Sequence, residues 1–121
     1  PLREFLYVDD LAEACIFLLE KWGSPNKNLV LDNSGQNIYW LNIGSNFEIS
    51  IKDLAFKIAK ATGYQGEILW DESKPDGTPR KKLDTSKINK MGWEAKTNLD
   101  EGLKLTYEYF KKEIKNETIR I

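Results

Sequence analysis

The chain has 121 residues, enough for one domain with a modest core and too few for a separate cofactor domain beside it. Hydrophobic residues make up 40% and charged residues 31%, which argues for a globular chain and against wholesale disorder. Net charge is −1 and histidine is absent, so there is no global field to recruit nucleic acid, and the commonest general base and zinc ligand are missing.

No apolar run approaches the roughly 20 residues of a membrane span, and no secretory signal is visible. Neither a membrane nor a nucleic acid is expected as a partner. One cysteine, Cys15, excludes an internal disulfide and fits a reducing, cytoplasmic setting. One cysteine without histidine also makes a transition-metal site an unlikely reading, and none is assigned. The chain opens on Pro1 in mid-pattern, as a piece of a longer protein would.

In chain order, residues 3 to 7 (REFLY) suggest a short extended segment. A helix is expected from Asp9 to Lys21, with Val8, Leu11, Cys15, Leu18 and Leu19 on one inward face at three- and four-residue spacing. Cys15 then reads as a small core residue and not as a reactive thiol. Asp9 and Asp10 stand at the helix start, where carboxylates accept unpaired N–H groups and oppose the dipole. Gly23 and Pro25 end it.

Residues 23 to 37 are turn-rich, with an apolar island at Leu29–Leu31 that leaves room for a short strand. IYWLNIG, 38 to 44, reads as a buried strand. Ser50 opens a second helix with Asp53 three residues on, an acidic form of the capping box. Ile51, Leu54, Ala55, Ile58, Ala59 and Thr62 form its inner stripe. Lys52, Asp53, Lys57 and Lys60 face water, and Gly63 ends the helix. GEILWDE, 66 to 72, is a further strand candidate. Asp84 or Thr85 caps a short helix through Ile88 and Met91, closed by Gly92, and Trp93 follows as an apolar anchor. Thr97 or Asn98 starts a last helix to Lys115, with Leu99, Leu103, Thr106, Phe110 and Ile114 inward. The tail NETIRI is expected to fray. The sum is a single α/β domain, 1 to 121: three main helices and one short helix around two or three short strands.

No glycine-rich phosphate loop, Walker pattern or G-x-S-x-G elbow is present. Tyr107 and Lys111 match Tyr-x-x-x-Lys on one helical face, but five tyrosines and many lysines make a chance match the better reading. The richest stretch is WDESKPDGTPRKKLD, 70 to 84. It gathers Lys74, Arg80, Lys81 and Lys82, with Pro75 and Pro79 restricting the backbone and Gly77 permitting close approach. Composition alone favours a solvated loop over an anion holder. As an anion holder, an arginine would grip a diphosphate bidentately and a lysine would act as a point charge. Asp76 would accept hydrogen bonds from a ribose hydroxyl or a guanine N–H edge.

The opening RxFLYVDDLAEA, Arg3 to Ala14, resembles a segment of the extended short-chain dehydrogenases, the nucleotide-sugar epimerases and reductases. LNIGS at 41 to 45 followed by ISIKDLAFKIAKATGY continues in that family's order. LDTSKINKMGWEAKTNLDEGL, 83 to 103, resembles its D-x-S-K-x-x-x-x-G-W segment. KPDGTPRKKLD, 74 to 84, is similar to the GDP-L-fucose synthase branch and not to the UDP-galactose epimerases.

The resemblance implies a small helix-rich C-terminal lobe that closes over a GDP-sugar. It implies that an N-terminal Rossmann domain, carrying NADP(H) and the catalytic Ser, Tyr and Lys, lies outside this chain. No catalytic, cofactor-binding or metal-binding residue is therefore assigned within it. By the same resemblance Arg3 matches a diphosphate-contacting arginine, Asp76 a nucleotide-sugar contact, and Lys74 a phosphate contact that is arginine in the epimerase branch. Lys81 is a further contact, and Arg80 and Lys82 are weaker candidates. The family's parent enzymes are expected to be homodimers. Two other readings stay open: the substrate domain of another NAD(P)-dependent nucleotide-sugar epimerase or dehydratase, and a non-catalytic interaction module.

Overall fold

A computed structural model of the chain describes residues 1–22 and 31–117. Among them, four helices and three strands alternate in the order β1 (Leu2–Glu4), α1 (Val8–Lys21), β2 (Glu48–Ser50), α2 (Ile51–Thr62), β3 (Arg80–Lys81), α3 (Ser86–Met91) and α4 (Leu99–Lys115). The α/β class, three longer helices and one short one are as the sequence suggests. The extended segment expected at 3 to 7 is met in part by β1, but the other strands lie elsewhere. β1 is the middle strand of a mixed sheet, antiparallel to β2 with Arg3 opposite Ile49, and parallel to β3 with Arg3 opposite Lys81.

Two segments expected as strands form none. In IYWLNIG, Ile38 and Gly44 are buried and Leu41 and Ile43 are half-buried, while Tyr39, Trp40 and Asn42 are exposed. Leu41 and Ile43 pack on the core by their side chains, without a neighbouring strand to bond the backbone. In GEILWDE only Ile68 is half-buried, so the run has no apolar face to cover and no ladder to join. The expected island at 29–31 lies outside the described residues, except that Leu31 bridges Asn37 across a turn in which the Asp32 carboxylate accepts from Ser34 and Gln36 N–H. The expected helix stop at Gly23 and Pro25, and most of the NETIRI tail, also lie outside them.

The core is small. Ala14, Ile88 and Trp93 are buried at its centre, with Leu6, Phe17, Leu18, Leu41, Ile43 and Ala95 packed around them. This fixes the rotation of α1, and the rotation differs from the expectation. The helix turns Asp10, Ala14 and Phe17 inward, because Ala14 lets it approach Ile88 and Trp93 closely and the buried Asp10 is bonded across to Thr97. Of the anticipated inner stripe, only Leu18 packs on the core. Val8, Leu11, Cys15 and Leu19 are exposed, Val8 by 66% and Leu19 by 86%. Leu19→Lys is therefore expected to shift the chain's stability by less than about 0.5 kcal/mol in urea titrations, where a core position would lose several.

Local capping follows the sequence closely. Ser50 Oγ accepts from Asp53 N–H at 3.0 Å and donates to the Asp53 carboxylate at 2.7 Å, so Ser50 caps α2 and Asp53 bonds the capping hydroxyl. Gly63 ends α2 in the left-handed region at φ 73°, where a side chain would be strained. Thr85 holds the N-cap position of α3 without a side-chain cap bond, and Asp84 just before it accepts from Ser86 N–H at 2.9 Å. Asn98 caps α4 by accepting from Glu101 N–H.

α2 packs on α4, tied at the surface by Lys57 to Asp100 at 2.7 Å. Lys57 is accordingly half-buried instead of facing water, and Ile58 is more exposed than its stripe position suggests. On α4, Leu99 and Leu103 are half-buried as expected. Thr106, Phe110 and Ile114 are exposed, because little of the described chain reaches the last turns of this 17-residue helix. There Lys111 Nζ lies 4.7 Å from the Tyr107 ring centroid, a cation held on the ring face and not at the hydroxyl. The Tyr-x-x-x-Lys spacing is thus occupied by a surface cation–π pair.

Candidate functional site

Residues 71–79 form an exposed loop between α2 and β3. Its first turn is closed by Asp71, whose carboxylate accepts from the backbone N–H and hydroxyl of Ser73 and is held below its ordinary pKa by those bonds. Two hydrogen bonds tie the far end to the sheet among the described residues. Leu2 N–H donates to Pro79 O at 2.8 Å, and Arg3 Nη1 donates to Thr78 O at 2.8 Å. Arg3 Nη1 also reaches the Leu2 carbonyl at 2.7 Å. The guanidinium lies against Gly77, so closely that a Cβ built there would sit 3.0 Å from Arg3 Nη2.

The sheet thus brings together residues far apart in sequence. Arg3 and Lys81 are register partners in a parallel pair, which places them on the same face. Asp76 adjoins Gly77 in the chain and is exposed, and Lys74 is exposed on the loop's near arm. Strand alternation sends Arg80 to the opposite face, where it grips Glu48 across β1. Nε lies 2.8 Å and 3.0 Å from the two carboxylate oxygens, and Nη2 donates to Oε2. Arg80 is therefore committed to a bidentate ion pair.

That bond holds the Glu48 carboxyl below its ordinary value of 4.5 and pushes the Arg80 pKa up. A depressed carboxylate stabilises the fold above its unfolded pKa and loses that contribution as pH falls through its folded pKa. The stability advantage of the native chain over Glu48→Gln should therefore be full at neutral pH and shrink as pH drops below about 4.5. Urea titrations at pH 7 and pH 3 check this, and an unchanged difference would remove the assignment.

A polar network on this second face escaped the sequence reading. Glu4 Oε2 accepts from Asn46 N–H at 3.0 Å, and its carboxylate occupies the space a Cβ on Gly44 would need. Asn46 sits in the left-handed region at φ 63°, which asparagine tolerates better than most residues. Its Oδ1 accepts from Thr85 Oγ1 at 2.6 Å, and Thr85 Oγ1 accepts from Asn89 Nδ2 at 3.2 Å. An open groove runs past Asn46, Arg80, Lys82, Asp84, Ser86 and Asn89. The GSN triplet at 44–46, a glycine and an asparagine around a tight bend, is the sequence signal that could have pointed here. Among the described residues no group of three His, Cys, Asp or Glu side chains could hold a metal ion, and no helix is long and apolar enough to cross a membrane.

No protein-family profile matches the chain. Individual proteins do. It is 46% identical to probable GDP-L-fucose synthase 1 of Oryza sativa subsp. japonica over 91% of its own length, and 41% identical to GDP-L-fucose synthase of Escherichia coli (strain K12) over the same share. The chain is homologous to GDP-L-fucose synthases. It spans 30% of the length of the rice GDP-L-fucose synthase and 33% of the bacterial one.

Solved structures of nucleotide-sugar reductases and epimerases share the fold. A GDP-6-OMe-4-keto-L-xylo-heptose reductase from C. jejuni superposes with a TM-score of 0.79 at 34% identity, over 93% of this chain and 31% of that one. A UDP-glucose 4-epimerase from Thermotoga maritima, solved with UDP-glucose, gives 0.71 at 31% identity, over 93% of this chain and 32% of its own.

Proposed function

We propose that this chain is the C-terminal nucleotide-sugar-binding domain of a GDP-L-fucose synthase. The parent converts GDP-4-keto-6-deoxy-D-mannose to GDP-L-fucose by epimerisation and NADPH-dependent reduction. The carrying observation is the 41% and 46% identity to GDP-L-fucose synthases over nine-tenths of the chain. The sheet supports it by setting Arg3 against the KPDGT loop and beside Lys81.

In this reading Arg3 and Lys81 neutralise the diphosphate from the sheet, Lys74 from the loop, and Asp76 accepts from the nucleotide sugar. NADP(H) in this reading belongs to a Rossmann domain outside residues 1–121, as the resemblance to nucleotide-sugar epimerases and reductases implies. A structural neighbour described as a GDP-mannoheptose C4 reductase has been solved with NADP bound, which supports NADP(H) as the parent's cofactor. The domain's part in the chemistry is to close over the substrate, exclude water and balance its charge. The parent acts as a cytoplasmic homodimer, and the isolated chain has no oxidoreductase activity.

A second reading is the substrate domain of another NAD(P)-dependent nucleotide-sugar epimerase or dehydratase. It is favoured by 32% identity to dTDP-D-glucose 4,6-dehydratase of Mus musculus and by the epimerase structure above. Calorimetry of the chain with GDP, GDP-fucose, UDP-glucose and dTDP-glucose separates the two. Preference for the GDP ligands is expected, with Lys74→Ala weakening GDP by about fivefold through loss of one phosphate charge. Preference for UDP or dTDP sugars would select the second reading.

A further inference from the structure

The contact between Arg3 and Gly77 does more than place a cation near a loop. Residues 74–79 are exposed and make no regular structure before β3 begins at Arg80. The bond from Arg3 Nη1 to Thr78 O is the side-chain bond that holds them to the sheet among the described residues. The same nitrogen is tied to the carbonyl of Leu2, so the guanidinium bridges the middle strand and the loop. Its other terminal nitrogen lies so near Gly77 that a Cβ there would sit 3.0 Å away and would have to push the guanidinium back by a few tenths of an ångström. Arginine suits this task, because a rigid fork can bond main-chain carbonyls through one terminal nitrogen and set the other against a glycine. Lysine, a single point on a flexible stem, cannot do both.

We infer that Arg3 and Gly77 form one positioning unit, in which the guanidinium stands in for the missing side chain of residue 77 and sets the KPDGT loop in its binding shape before any ligand arrives. Arg3 is then a positioning residue for Lys74 and Asp76, whether or not it also touches a phosphate. This deepens the nucleotide-sugar reading above and rests on it for the ligand, but not for the loop. A consequence separates it from a purely electrostatic role. Gly77→Ala and Arg3→Lys, which both keep every charge, should loosen the loop alike.

The test uses the 121-residue chain in four forms: native, Arg3→Lys, Gly77→Ala and the double variant. Hydrogen exchange of the amides of residues 76–78 is followed without ligand, and GDP affinity is measured by calorimetry. Both single variants should raise exchange in the loop and weaken GDP about tenfold, the size expected for losing a bond to a charged group. The double variant should be no worse than either single one, because both remove the same support. Global unfolding, which a merely structural role would move, should stay within a few degrees of native. Unchanged exchange in Gly77→Ala, native loop protection in Arg3→Lys, or additive losses would each overturn the inference. If native chain binds no GDP while the exchange pattern holds, the ligand reading fails and the positioning unit stands.

Discussion

Trp93→Ala should destabilise the chain by about 3–5 kcal/mol, the usual range for emptying a large aromatic site in a core. The ring is 7% exposed and shares the centre of the core with Ala14 and Ile88. Small domains hold only about 5–15 kcal/mol in total, so this one change removes a large fraction of the margin. Ile88→Val, which deletes one methylene at the neighbouring buried position, should lose about 1 kcal/mol and act as the graded control. Urea midpoints at constant m-value measure both. A loss below about 1 kcal/mol for Trp93→Ala would show that the α1, α3 and 93–95 packing is not the core that holds the fold.

Asp10→Ala should be the second large effect, about 3 kcal/mol. Asp10 is buried, and its two oxygens accept from Thr97 N–H and Thr97 Oγ1, each at 2.9 Å. Alanine would leave both donors without their acceptor where water has little access. Asp10→Asn keeps one acceptor oxygen, does not bury a charge, and should recover more than half of the loss. Equal losses for the two variants would mean that packing volume, and not the acceptor pair, is what Asp10 supplies. Because Asp10 also fixes the rotation of α1, Asp10→Ala should increase the exchange of α1 amides ahead of those in α2.

The sequence was most legible where the deciding interaction is local. Ser50 with Asp53, Gly63, Gly92, and Asn98 with its α4 turn are all readable because a cap involves residues within four positions. Trp93 as an anchor was readable from side-chain size. Legibility failed where the partner is distant. Apolar spacing in α1 identified a real stripe, but periodicity does not say which side of a helix meets the core. The buried Asp10 and the small Ala14 won over that stripe. IYWLNIG has the composition of a strand, yet strands are defined by a bonded neighbour, and the sheet was built from three-residue and two-residue pieces too short to leave a pattern. The meeting of Arg3 with the KPDGT loop came into view through resemblance to nucleotide-sugar enzymes, not through spacing. Its geometry, the guanidinium lying where residue 77 has no side chain, needed the fold. Glu48 as the partner of Arg80 had no signal at all, since it depends on β1 lying between β2 and β3.

The placing of β1 in the middle of the sheet has a kinetic consequence. Its partners come from Glu48–Ser50 and Arg80–Lys81, so completing three short strands means closing two long loops for few ladder bonds. The entropy of closure is spent before the bonds form, whereas α2 and α4 gather their turns from near neighbours on the microsecond scale. Refolding should therefore show helical circular dichroism ahead of protection at Arg3 and Lys81. Changes confined to the sheet, such as loss of the Glu48 to Arg80 pair, should speed unfolding more than they slow folding.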